Sequence, residues 1–477
     1  MAGRWLPVDA PESVITRVAP FDLDQSLPEV SWHRGHADRA VESARAAWPA
    51  WDALGLEARR GYLLRLREAL VAAEDSLAAV IVAETGKVLR EARAEARALV
   101  SKVDITLGEG LDLVRDTEVD ARLSWRWRPH GVLAVLGPFN FPMHLSHGHI
   151  VPALLMGNTV VLKPSEVTPG CGQRYAEVVE SVGFPPGVFN LVQGEGSVGA
   201  HLGQHPGVDG VLFTGSYAVG TRLRAANAAS PGRILALELG GKNAALVLDD
   251  ADFDKALDDV SQSAFATTGQ RCSCVSRLVV TRGIAARFVE ALGRRAAGLR
   301  VGHPYEEGAF CGPLASPSAL ARFESLQRAA EAEGSAAVGP VPEASVVWSG
   351  KAVRGHYVAP RVRRVARPDP ESRYQHEELF GPDLAVYVVD DLDEAIAVAN
   401  DTPYGLCAGV WTARAAAFEE VARRVRVGAL SHNAATVGAS SRLPFGGIGH
   451  SGNHRPAGVF STRYCAYPMA VTREVGP

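Results

Sequence analysis

The amino-acid sequence predicts an α/β protein with two doubly wound parallel-sheet domains and a small separate β element. Short Val/Leu runs between residues 132 and 214 recur about every 25 residues, with helical stretches between them, as in parallel strands joined by crossover helices. A second series of apolar runs lies between residues 244 and 389. Finally, apolar side chains alternate with arginine at residues 121–128, which indicates a half-buried strand outside both sheets.

The elements before the first sheet are predicted to be helical. Residues 36–54, 57–84 and 88–116 mix Ala, Leu, Arg and Glu, with an apolar residue every three or four positions. Gly86 is a suitable stop between the second and third of these helices. Strands are then expected at residues 132–136, 159–162, 188–192, 211–214, 244–248, 277–281 and 384–389, and the tail at 462–472 is again strand-like.

Composition and charge exclude several classes of protein. The 477 residues include 49 basic and 53 acidic side chains, a balance that argues against a nucleic-acid binder. The longest apolar run, at residues 150–162, is interrupted by Pro152 and Gly157 and is shorter than the roughly 20 residues of a membrane span. Six cysteines are too few for a disulfide framework in so long a chain, so we expect a reducing compartment, the cytoplasm.

The segment Gly269-Gln-Arg-Cys-Ser-Cys274 offers a cysteine for chemistry. A metal site needs more ligands at suitable spacing, and the other four cysteines are scattered, so we expect no metal. An inert buried cysteine remains an alternative. A nucleophilic cysteine needs nearby cations or helix N-termini to lower its pKa, and Arg271 is adjacent in the sequence.

Glu238 lies within the apolar run Leu235-Ala-Leu-Glu-Leu239, which reads as a strand. A buried carboxyl has a raised pKa and can act as a base near neutral pH. A salt-bridged structural role is the alternative.

A turn from residue 213 to residue 220 follows a strand and opens a helix. Gly215 permits a tight turn and Ser216 can cap the helix, whose free N–H groups would face an anion such as a pyrophosphate. Lys163 and Glu166, at the end of the neighbouring strand, could hold ribose hydroxyls or form a surface charge pair. Asn140 follows another strand, where its amide could donate to an oxyanion or simply belong to a turn.

Taken together, the segments resemble the NAD(P)-dependent aldehyde dehydrogenase superfamily from about residue 36 to the C-terminus. The matching segments, in the order of that family, are Gly137-Pro-Phe-Asn-Phe-Pro142, Lys163-Pro-Ser-Glu166, Phe213-Thr-Gly-Ser216, Leu237-Glu-Leu-Gly-Gly241, Gly269-Gln-Arg-Cys272, Glu378-Leu-Phe-Gly-Pro382 and Pro444-Phe-Gly-Gly447.

The resemblance implies specific roles. Cys272 would be the nucleophile, Glu238 the general base and Asn140 the oxyanion donor. Hydride would pass to a nicotinamide, and water would release the acid from a cysteine thioester. The dinucleotide would be bound by Lys163, Glu166, Gly215, Ser216, Tyr217, Ala218, Val219, Gly220, Glu378 and Phe380. Because Glu166 should repel a 2′-phosphate, NAD is expected in preference to NADP.

A domain layout also follows from the resemblance. Residues 1–116 and 138–237 would form the NAD-binding domain and residues 238–430 the catalytic domain. Residues 117–137 and 456–477 would form an oligomerisation element of a homodimer or homotetramer. Residues 431–455 would be a loop segment lining the substrate funnel.

Within the superfamily, the stretch Ser451-Gly-Asn-His-Arg-Pro456 and its neighbours resemble the branch that oxidises N-succinylglutamate 5-semialdehyde in arginine catabolism. That substrate carries two carboxylates, so cations should line its site. Arg442, Arg455 and Phe445 are the candidates, and either arginine could instead brace the loop. The sequence departs from the family pattern at His432, Ala434 and Arg442.

Three alternatives remain open from sequence. The first is another small aldehyde, such as glutamate 5-semialdehyde, as the substrate. The second is a catalytically silent binding protein on the same fold. The third is a thiol hydrolase that pairs Cys272 with a histidine such as His147 and needs no dinucleotide.

Overall fold

The computed structural model describes residues 3–474. Short antiparallel pairs, four helices and an outlying β pair come before the first sheet. These elements are β1 (Ser13–Ile15), β2 (Val18–Ala19), β3 (Asp22–Ser26), β4 (Val30–Trp32), α1 (Gly35–Ala53), α2 (Gly55–Ala72), α3 (Glu74–Thr85), α4 (Leu89–Ile105), a π-helical turn (Thr106–Gly110), β5 (Thr117–Glu118) and β6 (Leu123–Pro129). β1 pairs with β4, and β2 with β3.

Five parallel strands form the first sheet, in the order β11-β10-β7-β8-β9. Its elements are β7 (Val132–Leu136), α5 (His144–Leu155), β8 (Thr159–Lys163), α6 (Pro169–Ser181), β9 (Phe189–Leu191), α7 (Gly196–Gln204), β10 (Gly210–Thr214), α8 (Tyr217–Ala226) and β11 (Ile234–Glu238). β7, β8 and β10 are buried throughout, as their near-continuous Val/Leu content requires of strands covered on both faces.

The second sheet has seven strands in the order β14-β17-β18-β13-β12-β20-β21, parallel except for β14. The elements that complete the chain are β12 (Asn243–Val247), α9 (Phe253–Phe265), a 3₁₀ turn (Ala266–Gly269), β13 (Val275–Thr281), α10 (Arg282–Gly298), α11 (Pro317–Ala332), β14 (Ala336–Ala337), β15 (Val346–Trp348), β16 (Lys351–Val353), β17 (Arg361–Arg364), α12 (Arg373–His376), β18 (Asp383–Val389), α13 (Leu392–Asn400), β19 (Tyr404–Gly405), β20 (Cys407–Trp411), α14 (Ala415–Arg424), β21 (Ala429–His432), β22 (Pro444–Phe445), β23 (Ile448–Gly449), β24 (Ala457–Gly458), α15 (Ser461–Tyr464) and β25 (Ala466–Thr472).

A third, outlying sheet joins distant parts of the chain. β25 pairs antiparallel with β6 along its whole length, and β6 also pairs with β5. We refer to these three strands as the outer sheet. Its side chains Leu123, Trp125, Tyr467 and Met469 are all at least 38% exposed, although the alternation in β6 predicted one buried face.

The observed elements correct several expected boundaries. Val132–Leu136 was expected within the oligomerisation element at residues 117–137, but it lies at the centre of the first sheet. The helix expected at residues 57–84 is two helices that meet at Ala73. Residues 431 and 432, expected in the funnel loop, belong to the edge strand β21. The tail expected to be strand from residue 462 begins with the short helix α15.

No helix in the described range 3–474 is both long enough and apolar enough to cross a membrane.

Candidate active site

Cys272 lies in the segment between α9 and β13, just after the 3₁₀ turn. Thr267 and Thr268 in that turn both have φ near +55°, a left-handed conformation that β-branched residues rarely adopt. The side chain of Asn243 fixes the next part of the segment. Its Nδ2 lies 2.6 Å from the carbonyl oxygen of Cys272 and 2.8 Å from that of Cys274. The backbone that carries the sulfur is therefore held rigidly.

The electrostatic surroundings of Cys272 differ from the sequence expectation. Burial raises the pKa of its thiol to about 12, and the charges of Glu378 and Glu238 act in the same direction. Arg271, expected to lower this pKa, turns away and donates to Thr267 Oγ1 (2.7 Å) and to Glu91 (3.3 Å). The thiol therefore has to lose its proton before it can attack.

Asn140 lies beside the cysteine segment. Its Nδ2 donates to the carbonyl oxygen of Gln270 at 2.9 Å, two residues before Cys272. An amide nitrogen carries two hydrogens, so a second N–H can serve an oxygen bound near the sulfur. Asn140 is 7% exposed and lines the same cavity as Cys272.

Helix α4 supports both of these loops, through two residues that the sequence analysis missed. Glu91 accepts the backbone N–H of Thr267 (3.0 Å) in the cysteine segment. Glu95, one helical turn later, accepts the N–H groups of Met143 and His144 after Asn140. A signal was present in the sequence, because Glu91 and Glu95 share one helix face at i,i+4 spacing.

Glu95 is balanced by a buried cation. Lys87 Nζ lies 2.6 Å from Glu95 Oε2, and both side chains are at most 1% exposed. The same ammonium lies 3.6 Å from the centroid of the Phe141 ring. The Asn140 loop is thus held by a charge pair rather than by apolar packing alone.

Glu238 ends strand β11 at the edge of the first sheet. The side chain is 5% exposed and its Oε2 has no hydrogen-bond partner among the described residues. Burial raises the pKa of this carboxyl well above its usual range, and a hydrogen bond from the backbone of Ala457 opposes the rise only in part. A carboxylate with a raised pKa is a stronger base than an exposed one, which suits a general base.

The loop after β21 closes over Glu238. Asn453 pairs with β11 in the manner of a strand, since its Oδ1 accepts the N–H of Leu237 (3.0 Å) and its Nδ2 donates to Leu235 (2.9 Å). A Cβ added to Gly446 in this loop would lie 2.6 Å from Glu238 Oε1. The Gly-Asn-His-Arg-Pro stretch thus seals the edge strand that carries the carboxylate.

A cavity of about 970 Å³ connects Cys272 and Asn140 with the residues expected to bind a dinucleotide. Glu238 is not among the residues that line it. Its lining includes the predicted residues Lys163, Glu166, Gly215, Ser216, Tyr217, Ala218, Val219, Glu378 and Phe380. Gly220, also predicted, packs beneath the turn, where an added Cβ would lie 2.6 Å from Leu239. Another cavity, of about 860 Å³, lies against the N-terminal segment and contains none of the predicted residues.

Two ends of this cavity carry the features a dinucleotide needs. At one end, Ser216 caps α8 by accepting the N–H of Val219 (3.4 Å), and the first turn of the helix presents N–H groups to the cavity. Lys163 Nζ lies 3.5 Å from Glu166 Oε2 on the neighbouring strand end. At the other end, Glu378 Oε1 accepts the N–H of Gly241 (2.8 Å), and burial raises the pKa of Glu378 to about 7. The residues present therefore fit NAD.

The substrate candidates are less closely grouped. Arg442 donates to Glu109 Oε1 (2.8 Å) across the chain, with its side chain 69% exposed. Arg455 is exposed, and its charge acts on His130 beside the outer sheet. Phe445 lies in β22, next to the Gly446 that touches Glu238.

Of the departures from the family pattern, His432 stacks on Phe418 of α14, with ring centroids 4.3 Å apart. It packs on that helix rather than standing free over the site.

His147 cannot serve as a base for Cys272. It is fully buried, its Nδ1 bonds to the hydroxyl of Tyr175 (2.8 Å) and its Nε2 to the carbonyl oxygen of Leu99 (2.9 Å). Burial lowers its pKa to about 3. The thiol hydrolase alternative therefore lacks its histidine.

One cluster in the described residues has the composition of a metal site, namely Asp38, His201 and His205. None of the three lines the cavity that holds Cys272. His205 Nδ1 accepts the N–H of Gly207 (3.0 Å), which places the ring proton on Nε2, the atom facing Asp38. The cluster is thus a hydrogen-bonded contact between α1 and α7.

Comparisons with known proteins show which family the chain is similar to. The sequence model of the aldehyde dehydrogenase family matches residues 5–470. An N-succinylglutamate 5-semialdehyde dehydrogenase from Chromobacterium violaceum is 40% identical, covering 98% of this chain and 95% of that protein. One from Burkholderia mallei is 41% identical, covering 91% of this chain and 88% of that protein.

Solved structures share the fold across the chain. A mutant of aldehyde dehydrogenase C from Pseudomonas syringae, in complex with NAD+ and octanal, superposes with a TM-score of 0.91 at 33% identity, covering 99% of this chain and 96% of that one. A 1-pyrroline-5-carboxylate dehydrogenase from Thermus with bound NAD has a TM-score of 0.90 at 31% identity, covering 99% of this chain and 92% of that one.

Proposed function

The chain belongs to the aldehyde dehydrogenase family, and from that premise we propose that it oxidises N-succinyl-L-glutamate 5-semialdehyde to N-succinyl-L-glutamate with NAD. The observation that carries the proposal is one cavity that brings Cys272 and Asn140 together with Lys163, Ser216 and Glu378. The reaction belongs to arginine catabolism by the succinyltransferase route, the role of the branch that the Gly-Asn-His-Arg-Pro stretch resembles.

In the first half of the reaction, the sulfur of Cys272 bonds to the aldehyde carbon and its proton passes to a carboxylate. The oxyanion formed on the aldehyde accepts the free N–H of Asn140 and a backbone N–H. NAD, when bound, supplies the acceptor for the hydride that leaves the same carbon. Cys272 is then acylated as a thioester.

In the second half, Glu238 takes a proton from water, whose oxygen bonds to the thioester carbon. The C–S bond breaks, the acid leaves, and the proton that Glu238 took from water passes to the sulfur of Cys272. The buried carboxyl suits this step because its raised pKa makes it a stronger base than an exposed glutamate.

The cofactor would be held along the cavity. Lys163 and Glu166 would bind ribose hydroxyls, and the N–H groups at residues 215–220 would bind the pyrophosphate. Glu378 and Phe380 would hold the nicotinamide end. Phe380 is fixed with φ at +59° and packs edge-on against Phe139, with ring centroids 5.8 Å apart.

The substrate's two carboxylates are met by at least one of Arg442 and Arg455. At least one of the variants Arg442→Ala and Arg455→Ala should raise KM for succinylglutamate semialdehyde while leaving KM for a neutral aldehyde unchanged. Stability should change by less than about 0.5 kcal/mol in Arg442→Ala, because an exposed ion pair contributes little. If neither variant raises KM, these arginines do not bind the substrate.

A panel of aldehydes tests the function itself. The highest kcat/KM is expected for succinylglutamate semialdehyde with NAD, followed by glutamate 5-semialdehyde, and NADH formation should vanish in Cys272→Ser. A higher kcat/KM for another aldehyde would reassign the substrate. Activity retained in Cys272→Ser would remove the cysteine mechanism, and no NADH with any aldehyde would indicate a silent family member.

The assembly and compartment belong to the same proposal. The protein forms a homodimer or homotetramer through the outer sheet and works in the cytoplasm. In support, six unbridged cysteines lie within the described residues, as a reducing compartment favours.

A further inference from the structure

His450 is a ring-bearing side chain beside the cofactor cavity that the mechanism above does not use. It follows β23, and its ring stacks on that of Tyr217, the first residue of α8, with centroids 3.7 Å apart and planes 17° from parallel. The ring of Tyr404 in β19 stands edge-on to both, 5.6 Å from His450 and 6.4 Å from Tyr217. Tyr217 and Tyr404 line the cavity that contains Cys272, whereas His450 is not among its lining residues. His450 therefore contacts the cavity wall without forming part of it.

The backbone on one side of His450 is fixed to β19. The N–H of His450 donates to the carbonyl oxygen of Pro403 (2.9 Å), just before that strand. Gly449 pairs with Tyr404 and has φ at +60°. A Cβ added to Gly449 would lie 2.4 Å from the same carbonyl oxygen. The turn that presents the His450 ring thus requires a glycine.

The backbone on the other side of His450 is joined to β11, the strand that carries the general base. The carbonyl oxygen of Ser451 accepts the N–H of Leu239 (2.9 Å), and Gly452 forms a β-bridge with the last residue of β11. The Oγ of Ser451, which is fully buried, accepts an N–H from β19 (3.0 Å). Residues 449–452 are therefore anchored at both ends, while the ring between them reaches α8.

Tyr217 lies in the turn that would receive the pyrophosphate of NAD. It follows Ser216, the cap of α8, and its N–H is one of the first-turn donors that have no partner within the helix. A tyrosine side chain turns about two bonds, so a ring without a neighbour at this place could swing into the cavity that it lines. The stack on His450 opposes that rotation.

We propose that His450 is a positioning residue of the cofactor site, which holds the ring of Tyr217 at the cavity wall and so keeps the first turn of α8 open to the pyrophosphate. The inference rests on the proposed function. His450 acts only through Tyr217, because it does not line the cavity itself. No bond forms or breaks and no proton moves in this role. The contact therefore sets the affinity for the dinucleotide and not the rate of the steps at Cys272.

The test measures the Kd for NAD by titration calorimetry. His450→Gln keeps a polar side chain and the backbone hydrogen bond to Pro403 but loses the ring, and it should raise the Kd about three- to tenfold, the effect of losing one aromatic pair. His450→Phe restores a ring and should return the Kd to within twofold of the unaltered value. The control is His432→Ala, which removes the stack on Phe418 outside this cavity and should leave the Kd unchanged.

Steady-state kinetics give a second readout. In His450→Gln the KM for NAD should rise by the same factor as the Kd, while kcat and the KM for the aldehyde stay within twofold. A Kd for NAD within twofold of the unaltered value overturns the inference. So does an equal loss of affinity in His432→Ala, or a His450→Phe that binds NAD no better than His450→Gln, since either result shows that stacking on Tyr217 is not what matters.

A double-mutant cycle tests whether the two rings act as one unit. Tyr217→Leu should raise the Kd for NAD, and adding His450→Gln should raise it no further, whereas additive increases overturn the inference. His450→Ala carries the same expectations and replaces His450→Gln if that variant does not fold. Failure of the proposed function is distinct, because the unaltered protein would then bind NAD without oxidising succinylglutamate semialdehyde, and the comparison of Kd values would still decide the role of His450.

Discussion

At the scale of single residues, the site is organised by carboxyl groups that are kept out of water. Glu238 and Glu378 both have raised pKa values because they are buried, and both in turn raise the pKa of Cys272. The resting protein therefore keeps the thiol of Cys272 protonated.

Reactivity of the free thiol tests this interpretation. Glu378→Gln removes one of the charges that raise the pKa of Cys272, so iodoacetamide should inactivate the cofactor-free variant faster at pH 8 than the unaltered protein, by about two- to tenfold. Glu377→Gln, which alters a neighbouring carboxyl that is not among the charges acting on Cys272, serves as the control. Equal rates in Glu378→Gln and the unaltered protein would contradict the electrostatic interpretation.

The stability of the protein should also report on Glu238. The pKa of Glu238 is higher in the folded than in the unfolded protein. Its contribution to the free energy of unfolding is therefore most favourable below pH 4.5 and is lost as the pH rises through the folded pKa. Glu238→Gln should therefore match the unaltered protein near pH 4.5 and exceed its stability at pH 8 by on the order of 1 kcal/mol. Thermal melting across that pH range measures the difference. A constant difference at all pH values would show that the carboxyl does not titrate as described.

At the scale of elements, α4 is the common support of the two loops that carry Cys272 and Asn140. Glu91 fixes the first loop and Glu95 the second. A single helix thus sets the separation of the sulfur and the amide, because residues at i,i+4 rise together along one face.

Breaking the buried pair under the Asn140 loop should be costly. Lys87→Met leaves Glu95 buried without its cation, which we expect to lower the free energy of unfolding by about 3–5 kcal/mol. Arg97→Met, which breaks the exposed pair with Glu74, should cost less than about 1 kcal/mol. Urea denaturation measures both. Similar losses of unfolding free energy in the two variants would mean that the buried pair stabilises the protein no more than an exposed one.

Glu166, just after β8, should determine the preference for NAD over NADP. Glu166 is 47% exposed beside Lys163, where a 2′-phosphate of NADP would meet its charge. Glu166→Ala should raise kcat/KM with NADP by about tenfold and leave the value with NAD within a few fold. The ratio of the two values is the measurement, and an unchanged ratio would place the adenosine ribose elsewhere.

Elements were predictable where the sequence repeats a local pattern. The Val/Leu runs of β7, β8 and β10 match strands buried on both faces, and their ends mark the cavity. β17, with the sequence Arg-Val-Arg-Arg, escaped prediction because arginine masks its apolar pattern. The break between α2 and α3 lies at Ala73. It was not predicted because neither Gly nor Pro occurs there.

For the site, the motifs indicated which residues would meet, and Cys272 and Asn140 do share a cavity. Side-chain direction was not predictable from spacing. Arg271 is adjacent to Cys272 in the sequence, yet its guanidinium pairs with the half-buried carboxylate of Glu91 on α4 (3.3 Å).

At the scale of the whole molecule, the outer sheet is a region where apolar side chains remain exposed in the single chain. Val119 is 61% exposed there, and Tyr467 and Met469 are 46% and 40% exposed on the strand formed by the C-terminal tail. Exposed apolar side chains on and beside a sheet that lies outside both domains favour a subunit interface at this place. The homo-oligomer proposed above would cover it.

Introducing a charge on that sheet tests the assembly. Met469→Glu should yield a smaller species than the unaltered protein by light scattering after size-exclusion chromatography. Val347→Glu, on the separate β15–β16 pair and 62% exposed, should leave the mass unchanged. An unaltered mass for Met469→Glu would move the interface to another surface.

The hydrogen bonds from Asn243 to the cysteine segment affect how Cys272 is oxidised by peroxide. Cys274 is buried and its Sγ points to the carbonyl oxygen of Ala266 (3.7 Å), while Asn243 clamps the backbone on both sides of Ser273. Cys274 is thus badly placed to resolve a sulfenic acid on Cys272 as a disulfide. Oxidative damage at Cys272 would then advance to the irreversible sulfinic acid unless an external thiol intercepts it.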